Sequence, residues 1–177
     1  MSTMEIRLAG TGGQGLITGT IILAEAGLFE NKFVAQSQSY GPEARGGMCR
    51  GEVIISDEKI GFAKVSHPTF IMALSQQSFE RYCFRVDENC FVLVDETIEV
   101  PADFRRENFM KLPILATARE KVGKMQTVNI VSVGAINEIL HLSSFENMKK
   151  AVLLHVPKGT EELNLKALDE GAKLVTK

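Results

Sequence analysis

The segment Gly10-Thr11-Gly12-Gly13-Gln14-Gly15 constrains this chain more than any other. It follows a short alternating stretch, Glu5–Ala9, and runs directly into Leu16–Phe29, which is rich in Ile, Leu and Ala and apolar all round. Alternation reads as a strand, and a run without a polar face reads as a largely buried helix. Strand, glycine turn and helix together open a βαβ unit. Gly10, Gly12 and Gly15 fit G-x-G-x-x-G in that setting. The first glycine permits the turn, the second lets a ligand approach the backbone, and the third allows close helix–strand packing. Free N–H groups at the helix start then offer partial positive charge suited to phosphate. A tight turn beneath a close-packed helix needs glycines as well, so spacing alone leaves a bound anion and a purely structural turn both open.

A dinucleotide site makes one further demand, an acidic residue roughly 20 residues on to hold the ribose hydroxyls. That region holds Ala35, Gln36, Ser37 and Gln38, with no carboxylate at the end of the second strand, Lys32–Gln38. A free-standing NAD dehydrogenase is disfavoured on this test.

The loop after that strand is the second unusual feature. Tyr40-Gly41-Pro42-Glu43-Ala44-Arg45-Gly46-Gly47 packs three glycines and a proline into eight residues. Gly46 and Gly47 can turn consecutive N–H groups inward as an anion-binding nest, and Arg45 can add a charge-assisted bond to phosphate or carboxylate. An intramolecular pair of Arg45 with Glu43, or a plain exposed arginine, competes with that reading. The strands on either side would bring this loop toward the first glycine turn.

Beyond it, Arg50–Ser56 reads as a strand, and Asp57-Glu58-Lys59 as a tight turn into Ile60–Ala63, a hairpin that makes the sheet mixed. Thr69–Leu74, the apolar run Phe91–Asp95 and the weaker Asn108–Leu112 are further strands; Ser75–Tyr82 is a short helix. Thr117–Val122 and Asn129–Leu142 read as helical. Ser143-Ser144-Phe145-Glu146 has the form of a capping box opening a helix toward Leu154, and Thr160–Leu174 is a last amphipathic helix. No repeat, low-complexity tract or linker divides residues 1–177, so the expectation is one α/β domain. It is a Rossmann-like three-layer sandwich, with a mostly parallel, partly mixed sheet and helices on both faces.

Composition narrows the function classes. The formal net charge of -2 gives no global field to gather nucleic acid or an anionic membrane. No apolar stretch reaches the ~18–20 residues of a spanning helix, and Met1–Ala9 lacks the pattern of a signal peptide. Cys49, Cys83 and Cys90 are odd in number and without C-x-x-C spacing. That usage argues against a disulfide scaffold, a zinc site or a cluster held by this chain, and fits reduced thiols in a cytoplasmic protein. His67, His141 and His155 have no ligand spacing, so no metal ligands are assigned. Cys49 reads as a small apolar filler, and Asp95 as the cap of the turn after its strand. No set of residues for nucleophilic or paired-carboxylate catalysis can be assembled, and no catalytic residue is assigned.

The two glycine loops together resemble the gamma subunit, or gamma domain, of 2-oxoacid:ferredoxin oxidoreductases. The likeness rests on Gly10–Gly15, on Gln38-Ser39-Tyr40-Gly41-Pro42-Glu43-Ala44-Arg45-Gly46-Gly47, and on the strand-like Arg50–Ser56 behind them. The second segment looks more like the 2-oxoglutarate branch than the pyruvate branch, with the indolepyruvate enzyme's small subunit as the nearest competitor. The resemblance implies oxidation of a 2-oxoacid with CoA to an acyl-CoA, CO2 and reduced ferredoxin, by a complex in which this chain is a non-autonomous subunit. It also implies partner alpha and beta subunits, together with a ferredoxin-like delta subunit. Thiamine diphosphate and iron–sulfur clusters would be held by those partners, with ferredoxin as electron acceptor. An orphan subunit with an exposed apolar interface would form homodimers when isolated. CoA is the co-substrate this chain would contact, through Gly12, Gly13, Gln14, Gly15, Ser39, Tyr40, Gly41, Arg45 and Gly46. A stand-alone nucleotide-binding oxidoreductase and a purely structural assembly subunit are the competing readings.

Overall fold

The computed structural model describes residues 3–40 and 47–176, with the backbone alone of Tyr40. Its sheet has six strands, β1 (Thr3–Thr11), β2 (Phe33–Tyr40), β3 (Met48–Ser56), β4 (Phe70–Ala73), β5 (Phe91–Asp95) and β6 (Phe109–Leu112). Their order is β2-β3-β1-β4-β5-β6. β1, β4, β5 and β6 pair in parallel, while β3 runs antiparallel to both β1 and β2. A single reversed strand thus makes the sheet mixed.

The source of that mixing differs from the expected hairpin over Ile60–Ala63. Residues 57–69 form no strand. β3 already has β1 on one edge and β2 on the other, so it has no free row of N–H and C=O groups to offer a hairpin partner. The segment instead ties back to β1 through side chains. Glu5 accepts the Ser66 and His67 N–H groups at 2.8 and 2.9 Å, and the Arg7 guanidinium donates to the Val65 carbonyl at 3.2 Å.

Helices α1 (Leu16–Phe29), α4 (Val128–Leu140), α5 (Phe145–His155) and α6 (Glu161–Lys173) cover one face of the sheet, and α2 (Gln76–Tyr82) lies on the other. The short α3 (Ile114–Ala116) continues as a wide π turn, Thr117–Val122. The larger core buries Ile6, Leu8, Val53, Phe70 and Leu93 of the sheet against Ile22, Leu23, Ile136 and Leu168 of the helices. The opposite core centres on Phe79 and Val92, with Phe104 making edge contacts at 5.0 and 5.6 Å to Phe79 and Phe109. Each such side chain contributes roughly 1.5–3 kcal/mol through its removal from water.

α4 and α6 cross with their backbones touching. A Cβ on Gly134 would lie 2.1 Å from the Leu168 carbonyl, and one on Gly171 would lie 2.0 Å from that of Val131. α4 begins one residue earlier than expected and ends at Leu140, because His141 takes a left-handed conformation with φ of 47°.

The start of α5 departs from the expected capping box. Its cap is Ser144, whose Oγ accepts the Asn147 N–H at 3.2 Å. The third helical residue is therefore Asn147, and Glu146 sits one position too early to reach back. Glu30, from the end of α1, replaces it. Its carboxylate accepts the Ser143 hydroxyl at 2.7 Å, the Ser144 N–H at 3.0 Å and the Asn147 amide at 3.0 Å.

Candidate functional site

The carboxyl ends of β1, β2, β4, β5 and β6 meet at one edge of the sheet, and the first glycine turn leaves from the end of β1. Gln14 closes that turn from inside. Its N–H donates to the Thr11 carbonyl at 3.3 Å, and its side-chain oxygen accepts the Thr11 N–H at 2.8 Å. The Gln14 side chain is thus spent in part on the turn itself, and its NH2 end has no partner among the described residues. Gly13, at φ of 95°, has nothing within 4 Å of the place a side chain would occupy. The N–H groups of Gly13 and Gly15 have no hydrogen-bond acceptor among the described residues.

Gly15 is the cap residue just before α1, left-handed at φ of 69°, and no side chain among the described residues caps the helix. A Cβ there would lie 2.7 Å from the Asn129 amide nitrogen, so conformation and contact both demand glycine. Asn129 belongs to the first turn of α4 and is buried; its Oδ1 accepts the Ile130 N–H at 3.0 Å. Sequence reasoning did not single it out. An amide residue at a helix start is its one signal, and many structural asparagines share that signal.

The two glycine loops converge. Gly12 N–H donates to the Gly47 carbonyl at 2.9 Å, directly beyond the Thr11–Met48 pairing that ends the β1–β3 ladder. On the far side of β3, Ser39 pairs with Arg50 and Tyr40 with Cys49. Gly41, Arg45 and Gly46 lie outside the described residues, between those two anchored ends. The Gly12 N–H is therefore engaged across the gap, which leaves Gly13, Gly15 and the uncapped start of α1 as the open donors of this edge.

The other residues weighed in the sequence are structural. Asp95 is fully buried and accepts from the Thr97 N–H, the Thr97 hydroxyl and the Leu115 N–H at 3.0, 2.6 and 2.8 Å. It caps the turn and pins the start of α3. Cys49 is buried at the β1–β3 register, and burial pushes its thiol up. Burial likewise raises Cys83 to about 12 and Cys90 to about 11, far from a reactive thiolate. Among the described residues no group of His, Cys, Asp and Glu is placed to hold a metal, and no helix is long and apolar enough to cross a membrane. On the second face of the sheet, Glu52 is buried beneath Arg7 at 2.7 Å and Arg50 at 3.7 Å, both stacked over Tyr82. This compensated cluster holds β1, β3 and α2 together.

The sheet edge at which the two glycine loops join backbone to backbone is the candidate site of this α/β domain. The family model described as pyruvate ferredoxin/flavodoxin oxidoreductase matches residues 5–174, and the chain belongs to this family, with the gamma subunits of its 2-oxoacid:ferredoxin branch. It is 46% identical over 171 residues to the 2-oxoglutarate synthase subunit KorC of Methanocaldococcus jannaschii, covering 94% of this chain and 91% of that one. Among solved structures, the gamma subunit of a keto/oxoacid ferredoxin oxidoreductase from Geobacter sulfurreducens superposes with a TM-score of 0.86 at 36% identity. That match covers 99% of this chain and 98% of that one. The 2-oxoglutarate:ferredoxin oxidoreductase of Magnetococcus marinus has the same fold at a TM-score of 0.86 and 21% identity, over 99% of this chain and 31% of that longer one.

Proposed function

We propose that this chain is the gamma subunit of a 2-oxoglutarate:ferredoxin oxidoreductase and that it positions CoA at the edge where the two glycine loops meet. The observation that carries the reading is the Gly12–Gly47 hydrogen bond, which joins the glycine turn before the uncapped start of α1 to Gly47, the last residue of the second loop. Such an edge supplies backbone donors to a diphosphate, and a guanidinium from Arg45 would add a charge-assisted bond. The KorC relative supports the branch, and the Magnetococcus structure was solved with 2-oxoglutarate, CoA and succinyl-CoA bound.

The role is catalysis by positioning. Gly13 and Gly15 donate to the ligand, Gly13 leaves room for close approach, and Ser39 stands at the described end of the second loop, whose Tyr40, Gly41, Arg45 and Gly46 are further contacts implied by the family resemblance. Holding the thiol arm in one orientation removes translational and rotational freedom that the acyl-transfer step would otherwise have to restrict. Thiamine diphosphate, held by partner alpha and beta subunits, would supply the decarboxylation chemistry. The clusters and the handover to ferredoxin would lie with partners as well.

The test is steady-state kinetics of the assembled complex carrying Arg45→Ala. The KM for CoA should rise about tenfold, the worth of one charge-assisted phosphate contact, with the KM for 2-oxoglutarate unchanged. An unchanged KM for CoA would support the purely structural role. Reduction of NAD or flavin by the isolated chain would favour a stand-alone oxidoreductase.

A further inference from the structure

The second face of the sheet carries arginine charge that the chain itself does not use. Arg7, Arg50 and Arg81 stand 5.3, 5.7 and 5.9 Å from the centre of the Tyr82 ring. The buried carboxylate beneath them is Glu52. Arg7 takes one of its oxygens at 2.7 Å, and the Ser37 hydroxyl donates to the other at 3.4 Å. Arg50 is left 3.7 Å away, with no hydrogen bond of its own among the described residues. Arg81 and Arg85, exposed and four positions apart, make neither a hydrogen bond nor an ion pair among the described residues.

Arg81 and Arg85 line a cleft of about 400 Å³ with Met48, Gln77, Glu80 and Phe84. Glu80 is the one carboxylate among the described lining residues, and it accepts from the Gln76 amide at 3.1 Å instead of pairing with either arginine. Phe84 supplies the apolar part. It makes edge contacts at 5.1 and 5.3 Å to Phe79 and Phe104, yet is 48% exposed. A ring held on one side and open on the other is a rigid anchor, which loses little freedom when it is covered.

Arginine, methionine and aromatic residues are the types enriched where proteins meet, and lysine is depleted there. No lysine lines this cleft among the described residues. A guanidinium is also weakly hydrated, so covering it costs less than covering an ammonium. The cations are strung along α2 and across to β3, not gathered about one point. That spacing suits carboxylates spread along a protein segment better than a single small anion.

We propose that this face docks the chain onto a partner subunit of its complex, through an acidic segment of that subunit. Carboxylates of the segment meet Arg50, Arg81 and Arg85, and an apolar side chain between them covers Phe84 and Met48. The inference needs the complex alone and does not depend on the CoA reading.

The test uses the complex, purified from cells that express this chain with its partner subunits, and the isolated full-length chain beside it. Phenylglyoxal modification of Arg50, Arg81 and Arg85 is followed in both by peptide mass spectrometry. A photo-crosslinking benzoylphenylalanine in place of Gln77, an exposed residue of the same cleft, identifies the chain that covers it. The three arginines should react about tenfold more slowly in the complex, and the crosslink should join an acidic segment of a partner subunit. Arg81→Glu combined with Arg85→Glu should raise the protein concentration at which the complex dissociates by about tenfold or more, because like charges then face each other. Labelling and crosslinking leave the arginines unaltered, so they decide the matter if the double variant fails to fold. Equal reactivity in the two states would overturn the proposal, as would a crosslink to a second copy of this chain or to a partner segment without carboxylates. So would a folded double variant held in the complex as firmly as the wild type. Any of these would leave the CoA reading standing.

Discussion

The start of α5 and the start of α1 are the same kind of place treated in opposite ways. At α5 the chain brings its own anion. Ser144 caps the helix, and Glu30 fills the remaining donors so well that these bonds, led by Asn147, hold its carboxyl down to about 2 from an ordinary 4.5. At α1 no side chain among the described residues caps the helix, the cap residue is a left-handed glycine, and the side chain packed on it is the neutral Asn129. α6 also begins without a side-chain cap, whereas in α4 the Ile130 N–H is taken by Asn129 Oδ1. Unpaired N–H groups at a helix start cost free energy unless water or a ligand takes them, and the proposed CoA-binding role of the α1 start rests on that difference.

The contrast can be broken experimentally, and the largest effect is expected at the open end. Gly15→Ala forces a side chain into a left-handed backbone and into Asn129, and should destabilise the chain by roughly 2–4 kcal/mol in a denaturant titration. Wild-type stability there would mean that the α1 start and Asn129 are not rigidly packed. Next comes the Arg45→Ala loss of CoA affinity, about tenfold and specific to CoA. At the closed end, Ser144→Ala should cost about 1 kcal/mol of stability and leave the KM for CoA unchanged. A change in that KM would show that the two ends are coupled.

The smallest effect is a pH dependence. Glu30 has a folded-state pKa below its ordinary value, so its contribution is fully present above pH 4.5 and is lost as pH falls toward 2. Acid unfolding curves of wild type and Glu30→Gln should therefore converge across that window, with the wild type more stable only above it. Parallel curves would remove Glu30 from the cap.

The sequence carried the open end further than the closed one. Local patterns marked the glycine turn, α1 and the apolar strand Phe91–Asp95, because each depends on neighbours a few residues away. The apparent hairpin at Ile60–Ala63 failed because the partner edges of β3 were taken by strands distant in sequence. The capping box at Ser143 failed for a similar reason. Its acid comes from Glu30, more than a hundred residues earlier, which no local motif can reveal. Asn129 escaped notice on the same ground, since its meaning arises only where α4 leans on Gly15. Gly12, whose place in the glycine pattern fits close ligand approach, also joins the two loops through its N–H, a bond to Gly47 that no local motif reveals.

The most direct test of the open–closed contrast is hydrogen–deuterium exchange of the assembled complex with and without CoA. Protection on adding CoA should fall on residues 10–19 and 38–48 and leave residues 143–150 unchanged. Exchange in 10–19 and 38–48 that does not respond to saturating CoA would contradict a binding role for the open helix start.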